Sequence, residues 1–585
     1  MGMKEKTSKP EGLLRNSPKL GSEILALAAF TTLIFTPSIT IDAFNPPKFT
    51  VFVSGVTYLG IRYWRIIVQG LVDRVVLLTS VSIFTILFLA LFANTYSISE
   101  RLFGIAGRNF GFITLTALTL IGLYSFQVSK SKVTSPNKIL NCLALTNVGV
   151  CIVFFLQEAG VMFTGFRNDY TVFPSTLGNP NFLSAFLGIS VLATLNWTFQ
   201  NKHKILMVVI GIGAILFSLS VIFISESIQG LFAVVISLLA LFLIFSVSYF
   251  SKVLNIFIFI SLGIATIILA LSFWGYGPLG ERLNGQTLRN RFIYWEIAIR
   301  MILDSPVIGK GYDSYLDYYR FFVTKGDLEK LGGPVISDSP HNIFLDLFVS
   351  GGVFLGFSFL LLFLLTILRT SIQINLDVKS RKFDLSKSSL YSIFLATTAI
   401  CLISPFQIGL FVWLPIFIGA LLGLDASSDT KGEKKRNMSQ CDFRRAASVV
   451  LGVSMLICNP IFAAIPLATE IRFRTAVEER SFVKLSNVAL DWPFSGFRAI
   501  SIAQGMYDSS FDPPGTPTEE EIRQVQFIRN RALEIATESV KVNERNFEGW
   551  RFLLERSPNM AVKDIARQKL QGLDPKNPEW RFLPE

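Results

Sequence analysis

Histidine is scarce in this chain: 585 residues contain only two, His203 and His341. Five cysteines give little material for a disulfide framework or a thiolate metal centre. Charged residues make up 16% of the chain, too few for an ordinary soluble surface. No small-residue cleavage site follows the first apolar run, so that run is expected to stay as an anchor. The glycine-rich turn Gly309-Lys310-Gly311 lacks the spacing of a nucleotide-binding loop. It reads as a tight turn, with Lys310 as a supporting charge.

Apolar side chains are abundant instead. Half the residues are hydrophobic, phenylalanine alone numbers 54, and the mean hydropathy is +0.50. Apolar runs long enough to cross a bilayer as helix recur through the first 467 positions. Thirteen are expected, at 21–38, 49–61, 75–93, 110–127, 139–158, 181–198, 205–224, 230–249, 253–274, 342–368, 389–405, 408–424 and 447–467. The fold class is therefore an all-α polytopic membrane protein. The partition is a cytoplasmic N-terminus (1–20), helices 1–9 (21–274), a large loop (275–341), helices 10–13 (342–467) and a helical tail (468–585).

The formal net charge of +12 is topological and does not point to nucleic acid. With the N-terminus inside, the inner connections carry about 25 Lys and Arg and the outer ones about four. Examples are Lys130/Lys132/Lys138 and Lys434/Lys435/Arg436. This asymmetry places the loop and the tail outside the membrane. Cys142, Cys151, Cys401 and Cys458 fall in spans and Cys441 inside, so neither disulfides nor a thiolate metal site are expected.

A 67-residue loop is too long for a connector. Within it, "TLRNRFIYWEIAIRMILDSP" predicts an amphipathic helix over 288–303. Phe292, Trp295, Ile299 and Ile302 mark its apolar face, widened by Ile293 and Ile297. Glu296 can pair with Arg300. Arg289 and Arg291 have no acid three or four residues away. They are either interfacial residues facing lipid headgroups or cations reserved for an anionic ligand.

The stretch "SDSPHNIFLD" predicts a helix start with Ser339 as N-cap and Pro340 at the first position. His341 would then lie in the first turn, where the helix dipole keeps the imidazole neutral, with Asn342 beside it. A simple capping role fits His341 equally well. Asn179, Pro180 and Asn181 repeat the device in "STLGNPNFL", and Arg108 precedes the run at 110. Three helix N-termini with unpaired arginines on one face would make an anion site.

In order, "LGNPNFLSAF", "ISESIQGLFAVV", "RNRFIYW…DSPVIGKGYDSY" and "SDSPHNIFLDLFVSGGVFLG" resemble the O-antigen ligase and polymerase superfamily, Wzy-C, over roughly residues 80–425. The resemblance implies a membrane glycosyltransferase of the bacterial inner membrane. Such an enzyme moves a glycan from a polyprenyl diphosphate carrier to a lipid, glycan or protein hydroxyl at the outer face. It implies Arg291 on the donor diphosphate and His341 in transfer; the helix starts and arginines read above add Arg289, Arg108, Asn179, Asn181 and Asn342 as further candidate donor-site residues. Ile228 or Gln229 stands where an arginine is common, which puts a two-arginine clamp in doubt; Arg108, Arg167 or Arg289 would have to substitute. Such transfer calls for no metal or other cofactor, and the chain has neither an Asp-x-Asp motif nor the Trp-Trp-Asp-Tyr-Gly of metal-dependent oligosaccharyltransferases.

In the tail, Trp550-Arg551-Phe552-Leu553 recurs as Trp580-Arg581-Phe582-Leu583, and both flanking stretches read as helix, polar turn and new helix. This is similar to tetratricopeptide-like hairpins. It is expected to dock an acceptor or a partner protein, or else to cap the loop; 512–519 reads as a linker or hairpin turn. A transporter of a small anion is the alternative reading of the whole chain. It is disfavoured by the absence of an internal repeat of spans and by the large arginine-bearing loop.

Overall fold

The computed structural model describes residues 19–70, 74–92, 97–160, 172–273, 286–333, 335–380, 382–426, 440–510 and 518–576. Every element there is helical. Eight described helices are long and apolar enough to cross a membrane. They are Phe112–Lys130, Pro136–Glu158, Pro180–Gln200, Ile205–Ile224, Ile228–Tyr249, Ile343–Lys379, Ile408–Ala426 and Leu451–Glu478. The remaining expected runs also form helices: Lys19–Leu33, Asn45–Gly70, Arg74–Phe92, Lys252–Phe273 and Leu385–Cys401.

Burial sorts these helices. Phe112–Lys130, Pro180–Gln200 and Trp413–Ala426 are largely enclosed by neighbours. Ile205–Ile224 and Ile228–Tyr249 leave Leu206, Leu216, Phe223, Val235 and Phe242 exposed, as helices at a lipid boundary do. The chain end of helix Lys19–Leu33 is closed by a buried lysine: Lys48 Nζ donates to the carbonyls of Thr32 (2.8 Å) and Ile34 (2.6 Å). A cation is the natural cap for the negative end of a helix.

The loop folds into three helices, Gln286–Asp304, Tyr315–Phe322 and Lys325–Leu331. Their small core holds Ile293, Tyr294, Ile297, Ala298, Met301, Tyr315 and Tyr319. The amphipathic helix is therefore present, but its buried face is rotated from the expected one. Phe292 and Ile299 are 44% and 46% exposed, because the loop packs back on the 293/297/301 stripe. The expected Glu296–Arg300 pair forms at 3.5 Å, and Asp327 binds Arg300 more closely at 2.5 Å.

The turn after this helix docks onto the glycine pair of helix Ile343–Lys379. Lys310 N donates to Val349 O (2.6 Å), Gly311 N to Ser350 O (3.1 Å) and Val353 N to Pro306 O (2.7 Å). Helix geometry breaks at Gly351 and Gly352, freeing those groups for the turn. Gly352 has φ +67° and ψ −164°, a region open essentially to glycine alone. A Cβ there would collide with Val307 O. Lys310 is buried and paired with Asp304, so the turn is a docking element.

Helix Pro460–Glu478 runs without interruption across the boundary expected at 467/468 and carries the chain into the tail. There Ala499, Ala503 and Met506 pack against Ala532, Ile535, Ala536, Trp550, Leu553 and Leu570. Thr518 and Glu521 form a capping box that starts helix Glu519–Val542. The second Trp-Arg-Phe-Leu copy at 580–583, most of the expected linker and Arg167 lie outside the described residues.

Candidate functional site

Contacts gather the segments around 42–45, 104–111, 175–181, 313 and 338–346 at one end of the bundle. Asn45 Nδ2 donates to Gly107 O (2.6 Å), Gly178 lies against Phe44, and Arg108 reaches Asp346. The helix starts at Phe112, Pro180 and Ile343 thus share a face, as expected.

His341 sits differently from expectation. The helix begins at Ile343 and its N-cap is Asn342, whose Oδ1 accepts from Phe344 N (3.0 Å) and Leu345 N (3.2 Å). Ser339 and Pro340 lie before the helix, and His341 is outside its first turn. Ser339 Oγ instead accepts from His341 N at 3.4 Å. Asparagine holds an N-cap at least as well as serine, and it is closer to the apolar run. His341 adopts φ +51°, a strained left-handed conformation for a residue with a side chain. That conformation turns its ring onto Tyr294, with centroids 5.8 Å apart and planes 25° apart.

Tyr294 comes from the amphipathic helix, three residues after Arg291, so one helical turn brings Arg291 and His341 into one neighbourhood. The His341 pKa is lowered to about 4, first by burial and then by the charges of Arg291 and Arg108, against the pull of Asp338. Its Nδ1 has no protein partner. Arg291 is 7% exposed, and its Nη1 also lacks a protein partner. Among the described residues it makes no ion pair, and burial lowers its pKa without a carboxylate to compensate. Trp295 Nε1, one turn further on, is buried without a partner as well. A buried guanidinium without a counter-charge is costly, and such a group is poised for an anion.

Arg108 is a correction to the expectation of unpaired arginines. It pairs with Asp313 (3.0 Å) and Asp346 (2.5 Å) and donates to Asp338 O (2.8 Å). Burial alone would lower its pKa, but these three acids raise it overall. Asp313 also accepts from Ile105 N at 2.8 Å, and burial pushes it up to about 6. Arg108 thus straps both arms of the loop to helix Ile343–Lys379, on either side of His341. Asp313 and Asp346 escaped the sequence reading. A carboxylate within the apolar "IFLDLF" was the available signal, because a buried charge demands a partner.

Asn179 caps its helix as expected, its side chain accepting from Asn181 N at 2.8 Å. Asn181 Oδ1 accepts from Ser227 Oγ (2.8 Å), the N-cap of helix Ile228–Tyr249. Gln229 is buried there with Oε1 unpartnered, and Ile228 is exposed. Arg289 is exposed, two residues from Arg291 and therefore on the opposite side of its helix.

Residues 213–360 match the family model described as O-antigen ligase. This segment, about a quarter of the chain, is similar to the O-antigen ligase family. The match spans Arg291, His341, the Pro306–Gly311 turn and the Gly351-Gly352 break. Arg108, Asn179, Asn181 and the tail lie outside the matched segment. A comparison with curated proteins finds no match. The tail is a helical assembly whose likeness to tetratricopeptide repeats has no support beyond its succession of packed helices.

Proposed function

We propose that this membrane protein transfers a glycan from a polyprenyl diphosphate to an acceptor hydroxyl at the face bearing His341 and Arg291. One observation carries the reading: a buried, uncompensated Arg291 stands beside a histidine kept neutral. The ligase-domain match supports the same reaction class.

In this reading Arg291 holds the donor diphosphate, with two oxygens facing one guanidinium fork. The acceptor oxygen attacks C1 of the reducing-end sugar. The bond from C1 to the phosphate oxygen breaks, and polyprenyl diphosphate leaves with the electron pair. The acceptor proton passes to His341, whose lowered pKa keeps it unprotonated at neutral pH. Attack opposite the leaving group inverts the anomeric centre. Arg291 matches the charge that grows on the leaving diphosphate, so the step asks for no strong general acid. Arg108 positions the loop and does not touch the donor. Asn342 holds the helix start beside His341, while Asn179 and Asn181 complete the donor end; Arg289, on the far side of its helix from Arg291, is left out of the site. The face is extracytoplasmic, in the cytoplasmic membrane of a bacterium.

The test is transfer in proteoliposomes supplied with polyprenyl-diphosphate glycan and candidate acceptors, with and without EDTA. Loss of transfer in both His341→Ala and Arg291→Ala supports the reading. Transfer that survives both changes returns His341 to a structural role.

A further inference from the structure

Outside the reaction site, the tail and the loop enclose a cavity of about 190 Å³. Three separate parts of the chain build it. Glu100 comes from helix Ile98–Phe103, Asp317 and Arg320 from the loop, and Phe497, Gln504, Asn543 and Arg545 from the tail. One wall is polar. Asn543 Nδ2 sits between the two carboxyls, 3.4 Å from Glu100 Oε2 and 3.3 Å from Asp317 Oδ2. Both contacts are long, and among the described residues the only other bond that the Glu100 carboxyl accepts, from Gly496 N, is 3.3 Å. Arg545 Nη1 lacks a partner. The carboxyls are half-buried and open to the cavity. The ring of Phe497, 69% exposed, also lines the cavity.

Tail docking does not require these groups to stay so loosely bonded. Arg320 stacks on Phe547 (3.8 Å) and bonds Glu548 (2.8 Å), while Arg545 stacks on Tyr318 (3.8 Å). Those contacts hold the interface. Weakly held acceptors in one cavity with an exposed aromatic ring suit a ligand that carries many hydroxyls on its edges and C–H groups on its faces. Two lining residues tie the cavity to the segments that carry the reaction site. Ile105 and Ile336 line it, and Ile105 N binds the Asp313 that pairs with Arg108. Ile336 lies five residues before His341.

We infer that this cavity is a saccharide-binding subsite, in which carboxyl and amide groups take sugar hydroxyls and Phe497 stacks on a sugar face. It rests on the transfer reading above and deepens it. The saccharide belongs to either the acceptor or the donor glycan.

The experiment uses the full chain in nanodiscs. Phe497→Ala removes an exposed ring without opening the core, and Asp317→Asn removes one carboxylate isosterically. Each is assayed with acceptor varied at saturating donor, and with donor varied at saturating acceptor. The expected result is a KM raised roughly fivefold to tenfold for one glycan substrate, the loss of one aromatic contact, with kcat unchanged. The substrate whose KM moves identifies the source. A direct arm titrates the free oligosaccharide, released from the donor by mild acid, against wild type and variants by calorimetry. Weaker binding in Phe497→Ala supports the subsite even where no acceptor supports turnover. Unchanged KM values together with unchanged oligosaccharide binding overturn it, while failure of wild-type transfer with every acceptor counts against the transfer reading alone.

Discussion

Arg108 and Arg291 are both buried arginines, and the structure assigns them opposite consequences. Arg108→Met leaves Asp313 and Asp346 buried beside an apolar side chain. Removing one partner of a buried ion network costs roughly 3–5 kcal/mol, because the remaining charge is neither solvated nor paired. Asp313 and Asp346 together make the upper half of that range the expectation. Arg291→Met takes away a buried cation that has no counter-charge, so the desolvation cost of the guanidinium disappears with it. Its effect on stability is expected to lie near zero or to be stabilising, although transfer is abolished. The assay is thermal and denaturant unfolding of the full chain in one detergent, paired with transfer rates in proteoliposomes. Arg108→Met should unfold well below wild type; Arg291→Met should unfold with it or above it. Equal destabilisation by the two changes would refute the reasoning, since it would mean that Arg291 is held by structural partners and is not reserved for a ligand.

Other consequences follow from the same geometry. Because His341 must be neutral to accept a proton and its pKa is lowered to about 4, transfer should hold from neutral pH down to about 5 and fall towards pH 4. A fall centred near the ordinary histidine value would show that the ring is not buried as described. Gly352→Ala should cost roughly 1–3 kcal/mol from backbone strain alone and undock the Pro306–Gly311 turn, seen as faster proteolysis of the loop and lost transfer. Glu100 and Asp317 are raised by burial to about 7 and about 8, so the docked tail needs their protons. The sign follows: their contribution to docking is full below the ordinary carboxylate range and is lost as pH rises through those values, so protease access to the tail should increase from pH 5 to pH 8. Asp317→Asn should flatten that dependence.

Much of this protein was legible from its chain. Apolar runs of membrane length can only be satisfied as helices in a bilayer, so the class follows from composition and run length. The Asn179-Pro180 start was legible because capping is local: the bond from Asn181 N to Asn179 Oδ1 spans two residues. The helix over 286–304 was legible through its periodicity, and the loop motifs carried the likeness to the ligase family.

What lay beyond the sequence depends on residues far apart along it. The start at 343 was misplaced because both Ser339 and Asn342 can cap, and the loop packing that turns His341 onto Tyr294 decides between them. The buried face of the loop helix shifted from Phe292/Ile299 to Ile293/Ile297, because the next two loop helices cover the latter stripe. Arg108 looked free because its partners are 205 and 238 positions away, and only the folded bundle brings Asp313 and Asp346 to it. Composition and local hydrogen bonding set the elements. Tertiary packing decided that Arg108 is neutralised and that Arg291, among the described residues, has no ion pair beside a neutral histidine, because desolvation and Coulomb energy depend on distance in space and not on position in the chain.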